Sequence, residues 1–259
     1  MELGGRVAVV TGGGNGIGAA MCRRFATEGA RVVVADLDGD AARSVAEDIG
    51  GHALSVDVAD PAHGEALADA AEEAFGPVDL LCLNAGIATD GGVEQGDAAW
   101  QRIWEINVMS HVWALRAVLP GMIDRGGGYL LHTASAAGLL TNLGAAPYAV
   151  TKHAVVALAE WLAITHGDQG IGVSCLCPQF VNTDMLEDFI DIPGGRALVG
   201  DLALEPEQVA EAVVEGIRER RFLILPHPEV AEYFLRKAQD YDRWLGGMRR
   251  LQGRIMAGE

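Results

Sequence analysis

Tyr148 and Lys152 are the pair in this sequence whose types and spacing could do proton chemistry. They lie within Ala145-Ala146-Pro147-Tyr148-Ala149-Val150-Thr151-Lys152, which leads into an apolar run ending near His166. The run reads as a helix with Pro147 in its first turn, where a proline is tolerated. On a helix, positions i and i+4 are neighbours. An ammonium beside a phenol favours the phenolate, so Lys152 is expected to draw the Tyr148 pKa down from about 10. Lowering it by roughly three units needs about 4 kcal/mol, more than one exposed ammonium supplies. A second positive charge, such as an oxidised nicotinamide ring, is therefore expected beside the pair.

The elements that must position this pair form a repeating pattern. Arg6 to Thr11 is a short β-branched run of the buried-strand type, followed by Gly12-Gly-Gly-Asn-Gly16-Ile-Gly18 and an amphipathic helix to about Gly29. Glycines between a strand and a helix let the backbone approach a pyrophosphate, whose charge the free amides of the helix would hold. A second strand, Arg31 to Asp36, ends in a carboxylate eighteen residues after Gly18, where a ribose-binding acid is expected. Asp36 would accept from the ribose hydroxyls and repel a 2′-phosphate, and neither Asn15 nor Leu37 offers a compensating charge. NAD is favoured over NADP. The competing reading makes Asp36 a cap for the next helix. Helix 41–49, strand 53–58, helix 61–75, strand 78–83, strand 129–134, strand 172–176 and strand 222–225 continue an alternation that implies a parallel sheet with right-handed crossovers.

Composition narrows the class. The 259 residues suit one large α/β domain, and no Pro- or Ser-rich linker divides them. No signal peptide is read at the start, and no run approaches the length of a membrane span, so a cytoplasmic protein is expected. A net charge of −17 opposes nucleic acid and anionic lipid. Cys22, Cys82, Cys175 and Cys177 lack a metal-ligand spacing, so no metal is expected and buried thiols are.

Thr11-Gly-x-x-x-Gly16-x-Gly18, Asn84-Ala85-Gly86, Asn107, Ser135, Tyr148-x-x-x-Lys152 and Pro178 to Thr183 stand in the order and spacing of one family. The chain resembles the short-chain dehydrogenase/reductases over about residues 5 to 225. The resemblance implies a Rossmann-type, doubly wound parallel sheet of about seven strands that oxidises a hydroxyl or reduces a carbonyl with a nicotinamide cofactor. It implies that Tyr148 is the general acid/base, that Lys152 holds the nicotinamide ribose, that Ser135 orients the reacting oxygen and that Asn107 supports a water linking Lys152 to solvent. Gly12, Asn15, Gly16, Ile17, Gly18, Asp36, Asp57, Val58, Asn84, Ala85, Gly86, Pro178, Val181 and Thr183 would join Tyr148 and Lys152 around the cofactor. Ser135, Tyr148, Gln179, Met185 and Leu186 would face the substrate. The alternative is an NAD(H)-binding sensor or scaffold without turnover, and a further rival uses the cofactor transiently for epimerisation or dehydration.

Two positions depart from the family pattern. Gln179 stands where a glycine usually follows the proline, so the pocket beside it is expected to differ. His132 replaces a small polar residue and reads as a satisfied core histidine. Residues 183–205 are long for a connection and read as a lid whose Met185, Leu186, Phe189 and Ile190, with Leu139, Leu140 and Leu143, suit a hydrophobic alcohol or ketone. One further helix is expected from Glu229 to about Leu251, with Phe234, Tyr241, Leu245 and Met248 along a packing stripe and Lys237 off it. That helix, or the face carrying Trp113 or Trp161, would serve a homodimer or homotetramer.

Overall fold

The computed structural model describes residues 1–186, 199 and 202–257. Its centre is a seven-stranded sheet in the order β3-β2-β1-β4-β5-β6-β7, parallel throughout. The strands are β1 (Val7–Thr11), β2 (Arg31–Asp36), β3 (His52–Ser55), β4 (Leu80–Leu83), β5 (Gly128–Thr133), β6 (Ile171–Leu176) and β7 (Leu223–Ile224). The inner strands are buried on both faces, which is why they read as continuous apolar runs without alternation. One face packs on α1 (Gly16–Thr27), α2 (Gly39–Ile49) and α8 (Pro206–Glu219). The other packs on α3 (His63–Ala74), α5 (Ser110–Asp124) and α7 (Ala146–His166). After β1 the chain builds outward through β2 and β3, then returns to place β4 on the opposite side of β1. The carboxyl ends of β1 and β4 therefore flank the crevice where such sheets bind ligands.

Several expected boundaries move. β3 ends at Ser55, which leaves Asp57 and Val58 in the turn beyond it. α4 (Asp97–Trp104), a π-helical turn at Glu105–Met109 and α5 run on without a break. Joined, they form a 28-residue helix long and apolar enough to cross a membrane by composition, contrary to the run lengths read from the sequence. More than half of its apolar window (56%) is buried within the protein, so packing in a core accounts for its composition.

The expected helix from Glu229 is two helices, α9 (Glu229–Gln239) and α10 (Tyr241–Ala257). Asp240 breaks it in an extended conformation (φ −153°, ψ 91°), and its carboxylate accepts from the Arg243 amide at 2.9 Å. The break resets the helical phase, so the apolar stripe counted across it does not form. Phe234, Tyr241 and Leu245 are exposed. Val230, Tyr233 and Trp244 pack on the core instead. Lys237 is buried, and its Nζ donates to Leu139 O at 2.6 Å, tying α9 to the short helix α6 (Ala137–Leu140). Gly194, Gly195, Phe189 and Ile190 of the expected lid lie outside the described residues.

Candidate active site

β1 ends in the glycine turn, and two of its glycines hold left-handed backbone, Gly12 at φ +63° and Gly16 at φ +51°. At Gly18 a Cβ would stand 1.8 Å from Gly12 O, so only glycine lets α1 pack this closely on the turn. The start of α1 follows directly, with Asn15 at its N-cap position making no side-chain cap bond. Asp36 lies beside the turn. Its Oδ2 accepts from Gly14 N at 2.8 Å and its Oδ1 from Asp38 N at 3.0 Å. The cap of α2 is Asp38, which accepts from the amides of Asp40 and Ala41, so the capping reading of Asp36 fails.

The end of β4 is stitched to this turn. Asn84 Nδ2 donates to Thr11 O and Gly12 O, both at 3.2 Å, and Thr133 Oγ1 donates to Asn84 Oδ1 at 3.1 Å. Thr11 Oγ1 accepts from the amides of Asn84 and Ala85. A Cβ on Gly86 would meet Asn107 Oδ1 at 3.2 Å and Lys152 Nζ at 3.3 Å, so these three positions converge. Asn107 sits in the π-helical turn, fully buried. Its Oδ1 accepts from Ile87 N at 2.9 Å, and its Nδ2 donates to Ile87 O at 2.9 Å and Thr151 Oγ1 at 3.2 Å. Both amide protons are committed to protein partners.

Ser135 follows β5, and Tyr148 and Lys152 share a face of α7. The ammonium of Lys152 stands 5.6 Å from the centre of the Tyr148 ring. Lys152 is buried, and its Nζ donates to Thr133 O at 2.9 Å. An ammonium carries three donors, so two remain for a ligand. The direction of the Tyr148 shift is opposite to the sequence expectation. Burial raises the phenol above its ordinary value, and the Ser135 hydroxyl lowers it only in part. Burial also brings the lysine down to about 8, because the chain takes its charge out of water. The one ammonium does not overcome desolvation.

These groups face a cleft of ≈1890 Å3, larger than the roughly 300–1,000 Å3 that holds one small ligand. It is lined by Gly12, Asn15, Gly16, Ile17, Gly18, Asn84, Ala85, Gly86, Ser135, Tyr148, Lys152, Pro178, Gln179, Val181, Thr183, Met185 and Leu186. Asp36, Asp57, Val58 and Asn107 stand outside that lining. Asp57 Oδ1 accepts from Ala59 N at 2.9 Å, and Oδ2 lies 3.7 Å from the Arg102 guanidinium. The turn, its left-handed glycines, the open start of α1 and the spare donors of Lys152 fit a dinucleotide.

Sequence reasoning missed several residues here. Thr133 and Thr151 fix Lys152 and Asn107 through single hydrogen bonds that no spacing reveals. His227, buried between two prolines, has Nδ1 accepting from Gln179 N at 3.1 Å, so its Nε2 carries the proton toward Phe180 O and Leu202 O at 3.0 and 3.1 Å. It clamps the segment around Gln179. Tyr233 and Arg236 of α9 also line the cleft, and beyond the break at Asp240 so do Arg243 and Trp244 of α10. His132 is only half satisfied: its Nδ1 shares a hydrogen bond with His111 Nδ1 at 3.0 Å, but neither Nε2 has a partner among the described residues.

A model of the short chain dehydrogenase family matches residues 6–191. The 1-deoxy-11-beta-hydroxypentalenate dehydrogenase of Streptomyces exfoliatus is 36% identical over 238 residues, covering 88% of this chain and 86% of that protein. The meso-2,3-butanediol dehydrogenase of Serratia marcescens is 36% identical over 218 residues, covering 81% and 86%. Among solved structures, a short chain dehydrogenase/reductase from Burkholderia phymatum in complex with NAD superposes with a TM-score of 0.83 at 33% identity, over 93% of this chain and 96% of that one.

Proposed function

Because the chain belongs to the short chain dehydrogenase family and is an oxidoreductase acting on CH–OH groups with a nicotinamide cofactor, we propose that it interconverts an apolar secondary alcohol and its ketone with NAD. The observation that carries this reading is the meeting on one cleft, with the glycine turn, of Ser135, Tyr148 and a buried Lys152 that has no carboxylate partner among the described residues. A bound nicotinamide supplies the hydride acceptor or donor. Tyr148 Oη takes the carbinol proton in the oxidative direction and returns it to the carbonyl oxygen in the reductive one. The Ser135 hydroxyl donates to the same oxygen, where negative charge develops. Lys152 Nζ, anchored on Thr133 O, directs its remaining protons to the ribose hydroxyls. Asn107 holds the backbone at Ile87 and so shapes the route by which a water relays protons from Lys152.

NAD is preferred because Asp36 brings a carboxylate to the turn, and each of its oxygens, having accepted one amide, still has a lone pair for a ribose hydroxyl. The apolar preference rests on Leu140, Leu143, Leu186, Met185 and Trp244 along the cleft. Asp57 and Val58, in the turn after β3, are proposed to approach the adenine end. The chain is proposed to act as one cytoplasmic domain in a homodimer or homotetramer, with Trp161 and Ile164 of α7 exposed on its outer face.

The test is NADH formation by the wild type and by Tyr148→Phe on secondary alcohols from small and polar to bulky and apolar, with NADP run beside NAD. The wild type should favour apolar alcohols and NAD, and the variant should lose roughly 10²–10⁴-fold in kcat while binding NADH as before. A variant that keeps its turnover would remove Tyr148 from the reaction, and a small polar alcohol with the higher kcat/KM would overturn the apolar preference.

A further inference from the structure

The cleft has one wall that proton and hydride chemistry does not require, and α10 supplies it. Arg243, Arg250 and Arg254 stand at i, i+7 and i+11, which at 3.6 residues per turn fall on a single stripe about 16 Å long. Trp244, Met248 and Leu251 form a neighbouring stripe about 100° round the helix. All six line the same cleft as Ser135 and Tyr148.

Among the described residues none of the three arginines has an ion-pair partner; Arg31, Arg116, Arg125, Arg220 and Arg249 have none either, but those five do not line the cleft. In a chain with 36 acidic and 19 basic side chains, three guanidiniums without a carboxylate, gathered on one stripe facing the cleft, leave a cationic strip free for a ligand. The acids that share the cleft, Asp90, Asp184, Glu207 and Asp240, form no ion pair with them, and Asp240 is engaged by the Arg243 backbone amide. Arg236, in the last turn of α9, is paired with Glu232. The wall thus offers an apolar strip and a cationic strip side by side. A neutral alcohol would use only the first.

We propose that the substrate is an apolar secondary alcohol that carries a carboxylate. Its hydrocarbon body lies on Trp244 and Met248, and its carboxylate is held by Arg243, with Arg250 next along the stripe. A guanidinium presents a planar fork of donors that matches a carboxylate, which makes arginine the suitable residue there. The inference rests on the dehydrogenase reading above, because it places the carbinol at Tyr148.

Two measurements test it. The first compares straight-chain hydroxy acids, with the carbinol at increasing distance from the carboxyl, against their methyl esters at saturating NAD. The best acid should exceed its ester at least tenfold in kcat/KM, through KM, and the advantage should shrink as salt is raised. The double variant Arg243→Gln/Arg250→Gln should lose that advantage, leave the ester and NADH affinity unchanged, and recover it as Arg243→Lys/Arg250→Lys. The second needs no turnover: isothermal titration of octanoate and of 1-octanol into the NADH complex, where octanoate should bind at least tenfold more tightly to the wild type and not to the glutamine variant. Equal binding of the two probes, an ester as good as its acid, or a loss of NADH affinity in the variant would overturn the proposal. If octanoate is preferred but no alcohol of any class turns over, the dehydrogenase reading fails and the anion site stands.

Discussion

Tyr148 and Lys152 carry opposite shifts from the same cause. Burial raises the phenol and lowers the ammonium to about 8, so near neutral pH both groups hold their protons in the free protein. Alcohol oxidation needs Tyr148 without its proton, whereas ketone reduction needs it with one. The kcat/KM for alcohol should therefore rise from neutral into alkaline pH, and that for ketone should not; parallel profiles for the two directions would exclude Tyr148 as the titrating group. Above about 8 the Lys152 charge is lost, so NADH affinity should weaken there and Lys152→Met should show no such inflection. Asp36 allows a separate test of cofactor choice. Asp36→Asn keeps an oxygen for the Gly14 amide and removes the charge, so the preference for NAD over NADP should fall by about tenfold, equivalent to roughly 1.4 kcal/mol. An unchanged ratio of kcat/KM values would place discrimination elsewhere.

At the level of elements, α5 and β5 are joined by a buried histidine pair. His111 and His132 share one hydrogen between their Nδ1 atoms, and His63, against Trp113 on α5, is buried nearby. Burial holds all three below the ordinary histidine value, His132 at about 3. The unfolded chain takes up protons as pH falls through about 6.5 while the folded chain does not, so stability is complete above that pH and drains toward about 3. Each histidine held neutral contributes a slope of about 1.4 kcal/mol per pH unit, read from urea melts between pH 7.5 and 4.5. His111→Phe or His132→Leu alone strands a buried ring nitrogen, at a cost of about 1–3 kcal/mol, and the double variant should cost less than the sum of the two. Additive costs and an unchanged pH slope would show that the pair is not coupled.

At the level of the whole molecule, the outer face of α4 and α7 leaves Trp104, Val150, Trp161 and Ile164 exposed, while Trp113 meets the His63 ring within the chain. Trp161 at 57% and Ile164 at 84% exposure are the apolar groups a second copy would cover. Light scattering should give a dimer or tetramer for the wild type and a smaller species for Trp161→Glu/Ile164→Glu, with the far-UV spectrum unchanged. A wild-type monomer would remove the oligomer from the reading of this face. Truncation before Glu229 tests the other candidate, α9 with α10.

Whatever depends on local periodicity and fixed spacing was legible in the order of the residues. Continuous apolar runs marked strands buried on both faces, and β2 was legible to its ends. Glycines between a strand and a helix marked the turn, and the four-residue interval of Tyr148 and Lys152 put both on one face of α7. Features that depend on chain segments remote from one another emerged only with the folded arrangement. The sign of the Tyr148 shift follows from how much of the fold closes over it, and a pairwise charge argument cannot supply that burial. The break at Asp240 follows from where its carboxylate caps, and it turned an expected packing stripe outward and brought Trp244 and Arg243 to the cleft. Thr133, Thr151 and His227 act on partners 19, 44 and 48 residues away, the Lys152 ammonium, the Asn107 amide and the Gln179 backbone N–H. No local pattern encodes such a partner, because it exists only once the sheet has brought the segments together.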